Sequence, residues 1–277
     1  MTGSPRTEYV LGADRTELAR LGLQHQLWAP TTQRLWELAG VRTGSRVLDV
    51  GCGAGDGSAD LARLVGPAGA VVGVDESEGF VAELNHRAKA MHADHLTGLV
   101  GDVQRLDDAL TDRHTSFDVV FARWVLCFVK DPARVIRDAA RRLAPGGRFA
   151  LFDYYNYAAF CLAPREPLFA EVIAAVERSW RDRGGDPDVM GRLPAVLRDE
   201  GFRVDHLQTV ARSARPGEPM WDWPASFWDS FLPRLVRTGY LTEERHAAFT
   251  DLWRRASEDP ARFVALPPVW ILVASRA

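Results

Sequence analysis

The period of the hydrophobic positions changes along the chain. From residue 15 to 39 they recur at helical spacing. Leu18, Leu21, His25 and Trp28 share one face, Pro30 is expected to interrupt, and Leu35, Trp36 and Leu38 resume the pattern. From residue 46 short apolar runs alternate with helical stretches. "RVLDV" (46–50), "AVVGVD" (70–75), "LTGLVGD" (96–102), "FDVVFARW" (117–124) and "RFALFDYY" (148–155) read as buried strands. "SADLARLVG", "EGFVAELNHRAKAM" and "DPARVIRDAARRL" read as the helices between them, with "APGG" as a turn before the fifth strand. Apolar runs separated by helices predict a parallel sheet covered on both faces. After residue 155 the rhythm breaks. "REPLFAEVIAAVERSW" and "GRLPAVLRDEG" read as helices, "FRVDHLQTVARS" as a strand, about 215–266 as a Trp- and Pro-rich helical stretch, and "PPVWILVASRA" as a closing strand.

The 277 residues, 47% of them apolar, suffice for one α/β domain with insertions or for two domains. A net charge of −3 provides no field for nucleic acid or anionic lipid, and neither is expected as a partner. Cys52, Cys127 and Cys161 have no metal-ligand spacing, so reduced thiols and no metal site are expected. No run approaches the ~18 apolar residues of a membrane span, and the first twenty residues have no apolar leader core. A soluble, cytoplasmic protein is expected.

The chemistry concentrates in "SRVLDVGCGAGDGSADLARLVG" (45–66). Its glycines, Gly51, Gly53, Gly55 and Gly57, follow a strand and open a helix. Asp56 stands where a dinucleotide fingerprint has its last glycine, and the Lys-Ser/Thr ending of a phosphate-binding loop is absent. Asp49 would oppose a pyrophosphate in this turn and favour an ammonium group, so the ligand should carry cationic character; capping the loop amides is its structural alternative. Asp75, at the end of the second strand, is placed to accept ribose hydroxyls, with a helix N-cap as its alternative use. Asp102, after the third strand, is placed to accept from an adenine amino group, or simply to form a turn.

On these residues the chain resembles the class I S-adenosylmethionine-dependent methyltransferases of the UbiE-like, small-molecule kind. The matching stretches are "VLDVGCGAGDGS", "VVGVDES", "LVGDVQRL", "FDVVFARWVLCFVKDP" and "LAPGGRFALFDY", in order over most of residues 45–155. The resemblance implies a Rossmann-like seven-stranded sheet of order 3-2-1-4-5-7-6, its last strand antiparallel, with helices on both faces and a helical cap. It implies S-adenosylmethionine as cofactor and S-adenosylhomocysteine as product. By position, Gly51, Cys52, Gly53 and Gly55 would lie against the methionyl part, with Asp49 supporting its ammonium. Asp75 would hold the ribose, Glu76 and Ser77 would line that region, Asp102 and Val103 would grip adenine, and Ala122 and Arg123 would face the methionyl end. Arg123 departs from many relatives, and a surface ion pair is its other use. The leader "YVLGADRTELARLGLQHQLW" (9–28) resembles that of a methyltransferase subgroup, carried here by Tyr9, Leu11, Arg20, Leu21 and Gln24; its helix is expected to fold over the cofactor, with packing on the sheet edge as the other use.

The expected division is an N-terminal helical lid over 1–40 and the methyltransferase domain over 41–277, with cap insertions at about 156–187 and 215–266. Methyl transfer is an in-line displacement, so the protein supplies mainly alignment and desolvation. A general base is unassigned; His25, Asp153 and Tyr154 are the candidates, and for His25 a packing role is favoured. Tyr157 follows in the same stretch. Trp221, Trp223, Phe227, Trp228 and Phe231 would wall a chamber for a small apolar or aromatic acceptor, form the insert's own core, or make a homodimer contact. A protein methyltransferase, or a scaffold or sensor that binds S-adenosylmethionine without methyl transfer, are the alternatives.

Overall fold

The computed structural model describes residues 15–111, 114 and 116–277. In chain order it runs α1 (Arg15–Leu38), β1 (Arg46–Val50), α2 (Asp56–Val65), β2 (Ala70–Asp75), α3 (Glu78–Ala90) and β3 (Leu96–Val100). Then come α4 (Leu106–Ala109), β4 (Phe117–Arg123), α5 (Pro132–Ala140), β5 (Leu143–Tyr154), β6 (Cys161–Ala163), α6 (Pro167–Arg181) and α7 (Leu193–Asp199). The chain ends with β7 (Phe202–Val210), β8 (Ser213–Ala214), α8 (Pro219–Arg237), α9 (Glu243–Glu258), β9 (Phe263–Ala265) and β10 (Val269–Arg276).

The main sheet has the order β3-β2-β1-β4-β5-β10-β7, with β10 antiparallel to both its neighbours. That is the topology the resemblance implies, with β10 as its last strand. The strands β1 to β5 are parallel neighbours in the switched order β3-β2-β1-β4-β5, so their carboxyl ends open one crevice where a ligand can bind. Val47, Leu48, Val120, Phe121, Phe149 and Leu151 are almost fully buried between the helical layers. No helix among the described residues is long and apolar enough to cross a membrane.

Pro30 does not interrupt α1, contrary to the reading of the sequence. The helix runs unbroken through it, with the ring on the exposed side. Side chains satisfy neighbouring carbonyls where the ladder is weakened: Arg212 Nη1 donates to Leu27 O at 2.7 Å and Thr32 Oγ1 to Trp28 O at 3.1 Å. On its inner face α1 buries Trp28, Leu35 and Trp36, and Trp36 meets Phe121 edge-on at 5.5 Å.

Two other boundaries move. The "APGG" segment lies within β5 rather than before it. Leu143 pairs with Phe117 and Arg148 with Val119, and the residues between them turn outward around Gly146, at φ 77°. The third strand ends at Val100, so Asp102 lies in the following turn, where it accepts Gln104 N–H at 2.8 Å. The chain from 156 onward also forms a small sheet, β6-β9-β8, that no periodicity announced. Cys161 pairs with Ala265 and Ala163 with Phe263, which joins the stretch after β5 to the stretch before β10 beside α6, α8 and α9.

Candidate active site

One cavity of about 760 Å³ opens at the carboxyl ends of the parallel strands, a volume typical of small-molecule sites. Its first wall is the loop between β1 and α2. Gly53 adopts φ 54°, and a Cβ on it would meet nothing within 4 Å, so this backbone faces open space. Its N–H donates to Asp75 Oδ2 at 2.9 Å, while Ser77 N–H donates to Asp75 Oδ1 at 3.0 Å. The Asp75 carboxylate is thereby fixed in orientation with lone pairs to spare. Gly55 serves the fold instead: a Cβ there would lie 2.7 Å from the Leu84 side chain.

Asp49 leaves the end of β1 almost fully buried and accepts Ser58 Oγ–H at 2.5 Å. Burial pushes its carboxyl up to about 6, against the opposing pull of Ser58 and Arg123. Burial also raises Asp75, and it raises Glu76 with help from the charges of Asp75 and Asp102. Asp49, Asp75, Glu76 and Asp102 all line the same half of the cavity, which therefore favours a cationic ligand.

Helix α1 closes the cavity from the side. Arg20 holds Glu17 through two bonds of 2.8 and 2.7 Å and donates from Nη1 to Gln24 Oε1 at 3.1 Å. Arg123 Nη1 donates to Thr32 Oγ1 at 3.1 Å and contacts His25 Nδ1 at 3.3 Å. A guanidinium only donates, so Nδ1 is the acceptor and the ring proton sits on Nε2, which lies 2.9 Å from Asp60 Oδ2.

The opposite half is aromatic. Trp124, Tyr154, Tyr157, Trp180 and Trp223 all line it. Trp124 stacks on Trp223 with centroids 5.8 Å apart, and Tyr157 meets Tyr154 and Trp180, each at 5.1 Å. Trp124 itself has φ 52°, a costly conformation for a bulky residue, and such strain concentrates at functional sites. Burial pushes the phenols of Tyr154 and Tyr157 well above their ordinary range, so both stay protonated at neutral pH.

Of the residues singled out from sequence, Gln24, Asp49, Gly51, Cys52, Gly53, Asp75, Glu76, Asp102, Val103, Arg123 and Tyr154 line this cavity. Tyr9 and Leu11 lie outside the described residues. Gly55, Ser77, Ala122, His25 and Asp153 are off its wall. Ser77 caps α3, accepting Phe80 N–H at 3.3 Å. Ala122 alternates with Phe121 and Arg123 on β4, and those two reach the cavity instead. His25 is committed to Asp60 and Arg123. Asp153 is buried against the turn after β4, accepting Cys127 N–H at 3.2 Å and Tyr154 N–H at 2.9 Å. Neither of these two base candidates faces the chamber. Cys52 is a packing residue, since a Cβ on Gly73 would meet its Sγ at 2.8 Å. Phe128, Gln104, Lys130, Arg183 and Arg234 also line the cavity, and the sequence reading passed over them as site residues. They stand on turns and helix ends, where no local pattern announces a shared wall.

Residues 42–199, more than half of the chain, match the family model described as a methyltransferase domain. The demethylmenaquinone methyltransferase of Bacillus cytotoxicus is 34% identical over 194 residues, 65% of this chain and 77% of that protein. The demethylmenaquinone methyltransferase of Lactococcus lactis is 36% identical over 131 residues, 47% of this chain and 49% of that one. The chain spans about half the length of several curated relatives it matches, 49% to 59%. In fold it is similar to a methyltransferase-type protein of Bacillus halodurans C-125, with a TM-score of 0.60 at 18% identity over 88% of this chain and 97% of the other. Family model and sequence relatives agree with the sheet order and the glycine-loop geometry, and this chain belongs to the S-adenosylmethionine-dependent methyltransferase family.

Proposed function

We propose that this protein transfers the methyl group of S-adenosylmethionine to a small, ring-bearing acceptor by in-line displacement. The observation that carries the reading is a cavity in which an acidic glycine-loop wall runs directly into an aromatic one. The residues present fit the cofactor. The buried Asp49 carboxylate accepts Ser58 Oγ–H but has no ion pair among the described residues, and the open backbone at Gly53 leaves room for close approach.

When bound, the cofactor supplies a methyl group activated by a sulfonium. Asp49 would then pair with the ammonium of the methionyl part. Asp75, aimed by the Gly53 and Ser77 amides, would accept the ribose hydroxyls, and Asp102 with Val103 would hold adenine. Arg20 and Gln24 on α1, with Trp223 on α8, would exclude water from the side. Helix α1 is on this reading the lid, and the two joined stretches are the cap. Tyr154 and Tyr157 stay protonated, so they orient an acceptor by donating hydrogen bonds. The aromatic wall carries no carboxylate or imidazole among the described residues, which favours catalysis by alignment and desolvation. The relatives above are named for demethylmenaquinone, and a quinone-type ring is the acceptor class they suggest.

Calorimetry with S-adenosylmethionine and S-adenosylhomocysteine tests the cofactor half, and release of S-adenosylhomocysteine with a panel of hydroxylated rings tests the acceptor half. Binding of both nucleosides without binding of NADH is expected. A protein that gives no heat with either nucleoside is not acting through this site.

A further inference from the structure

The aromatic half of the cavity is lined with hydrogen-bond donors that have nothing to donate to. Arg183 Nη1 is buried without a hydrogen-bond partner, and so are Trp124 Nε1 and Trp180 Nε1. All three residues line the cavity, as do Tyr154 and Tyr157, whose hydroxyls remain protonated. A buried donor left unpaired is costly, more so on a charged group. The two other arginines on α1 and β4 that line the cavity differ, because Arg20 is held by Glu17 and Arg123 by His25 and Thr32. Among the described residues, the Arg183 and Lys130 side chains have neither an ion pair nor a hydrogen bond.

Positive charge is concentrated at one end. Helix α8 lines the cavity with Trp223, Pro224, Phe227 and Arg234. Trp223, at its N-terminal end, touches the lid helix, and Arg234 lies eleven residues on, about 16 Å along the axis at ~1.5 Å per residue. Arg183 follows the last turn of α6, just beyond Trp180, which packs on Phe128 at 4.8 Å. The Lys130 stem lies against Gly184, where a Cβ would come within 2.5 Å of its Cγ. Aromatic rings thus lie between the lid helix and the cations, and at Lys130, whose backbone N–H donates to Gln104 Oε1 at 3.0 Å, the cationic end also adjoins the turn after β3.

We propose that the acceptor carries an anionic group, a carboxylate or a phosphate, on the end of its apolar body remote from the methylated atom, and that Arg183 binds that group. A guanidinium suits both anions through paired, charge-assisted hydrogen bonds. Lys130 and Arg234 add positive potential at the same end. This inference rests on the aromatic half being the acceptor chamber, as proposed above.

The test uses matched probes in calorimetry at saturating S-adenosylhomocysteine: 6-phenylhexanoate, 6-phenylhexyl phosphate and the neutral 6-phenylhexanol. At least one anion should bind ten-fold or more tightly than the alcohol, and the pair of anions tells carboxylate from phosphate. Arg183→Gln should remove the preference while Arg183→Lys keeps part of it, with both variants melting near the wild type. Equal binding of all three probes overturns the proposal, as does a preference that survives Arg183→Gln. Loss of S-adenosylhomocysteine affinity in Arg183→Gln also overturns it, because the charge would then serve the cofactor half. Wild-type binding of S-adenosylhomocysteine is measured first. Its failure would count against the methyltransferase reading itself, whereas its success without an anion preference would count against this inference alone.

Discussion

Trp223 donates its indole N–H to Gln24 Oε1 at 3.0 Å across 199 residues of sequence, and the same oxygen accepts Arg20 Nη1 at 3.1 Å. One amide oxygen therefore ties α8 to α1 at the edge of the cavity. Trp223→Phe keeps a ring against Trp124 and removes only the donor. A hydrogen bond of this kind is worth about 1 kcal/mol, so S-adenosylhomocysteine affinity should fall about five-fold. Gln24→Ala, which removes both bonds, should fall further. Calorimetry reads both, and unchanged affinity in the two variants would mean that α1 does not act as a lid.

Gly53 and Gly55 stand two apart in the loop, yet substitution at each should fail in a different assay. Alanine at 55 places its Cβ 2.7 Å from Leu84 Cγ and 3.1 Å from the Leu84 backbone, where little can yield. Gly55→Ala should lower the melting temperature strongly, by the several degrees that about 2 kcal/mol produces. Alanine at 53 meets no neighbour, and its cost is the positive φ, about 1 kcal/mol. Its methyl group projects where a ligand would approach, so Gly53→Ala should melt close to wild type but bind S-adenosylmethionine at least ten-fold more weakly. Thermal melts with and without cofactor separate the two cases.

That contrast also marks how far the sequence can be read. The acids at strand ends are legible because a parallel strand has one carboxyl end, and β1, β2 and β4 end within a residue of their expected limits. The roles of individual glycines are not legible, since Leu84 on a later helix decides what Gly55 does. Ala122 was chosen from motif position, and strand alternation turned Phe121 and Arg123 to the cavity in its place. His25 and Asp153 carry the right functional groups for a base. Their partners Asp60, Arg123 and Cys127 are distant in sequence and turn them into structural groups. The short strands β6, β8 and β9 exist only because they pair with each other, so no local period reveals them.

Arg212 anchors the middle of α1 in three ways. Its guanidinium lies 4.4 Å from the Trp28 ring centroid, and it donates to Leu27 O at 2.7 Å and to Thr31 Oγ1 at 2.9 Å. The anchor sits where Pro30 has weakened the helix's own ladder. Arg212→Met preserves the apolar stem and should cost about 2–3 kcal/mol in urea unfolding, less than the full sum of two charged hydrogen bonds and a cation–π contact because Arg212 is only half-buried. Arg212→Lys should recover only part, because an ammonium cannot span both acceptors while covering the ring. Equal stability of the three proteins would show that α1 is held by its apolar face alone.

The pH dependence of stability and of binding should run in opposite directions at Asp49. Burial pushes both Asp49 and Asp153 up to about 6 in the folded protein, against roughly 3.9 in an unfolded chain. Between these values the folded state keeps protons that the unfolded state has released. Stability from these groups is therefore fully present below about pH 4 and is lost as pH rises through about 6. At about 1.4 kcal/mol per pH unit, each group accounts for roughly 3 kcal/mol across that window. Asp49→Asn keeps an oxygen for Ser58 Oγ and cannot ionise, so its melting temperature should gain on wild type between about pH 5 and 7. A cationic ligand needs the carboxylate, so cofactor affinity should rise over the same interval in wild type and be weak and flat in Asp49→Asn. Melting curves of the free protein and calorimetry at matched pH check both. If Asp49→Asn melts below wild type at neutral pH, the attraction of Arg123 outweighs burial and the carboxylate is already stably ionised.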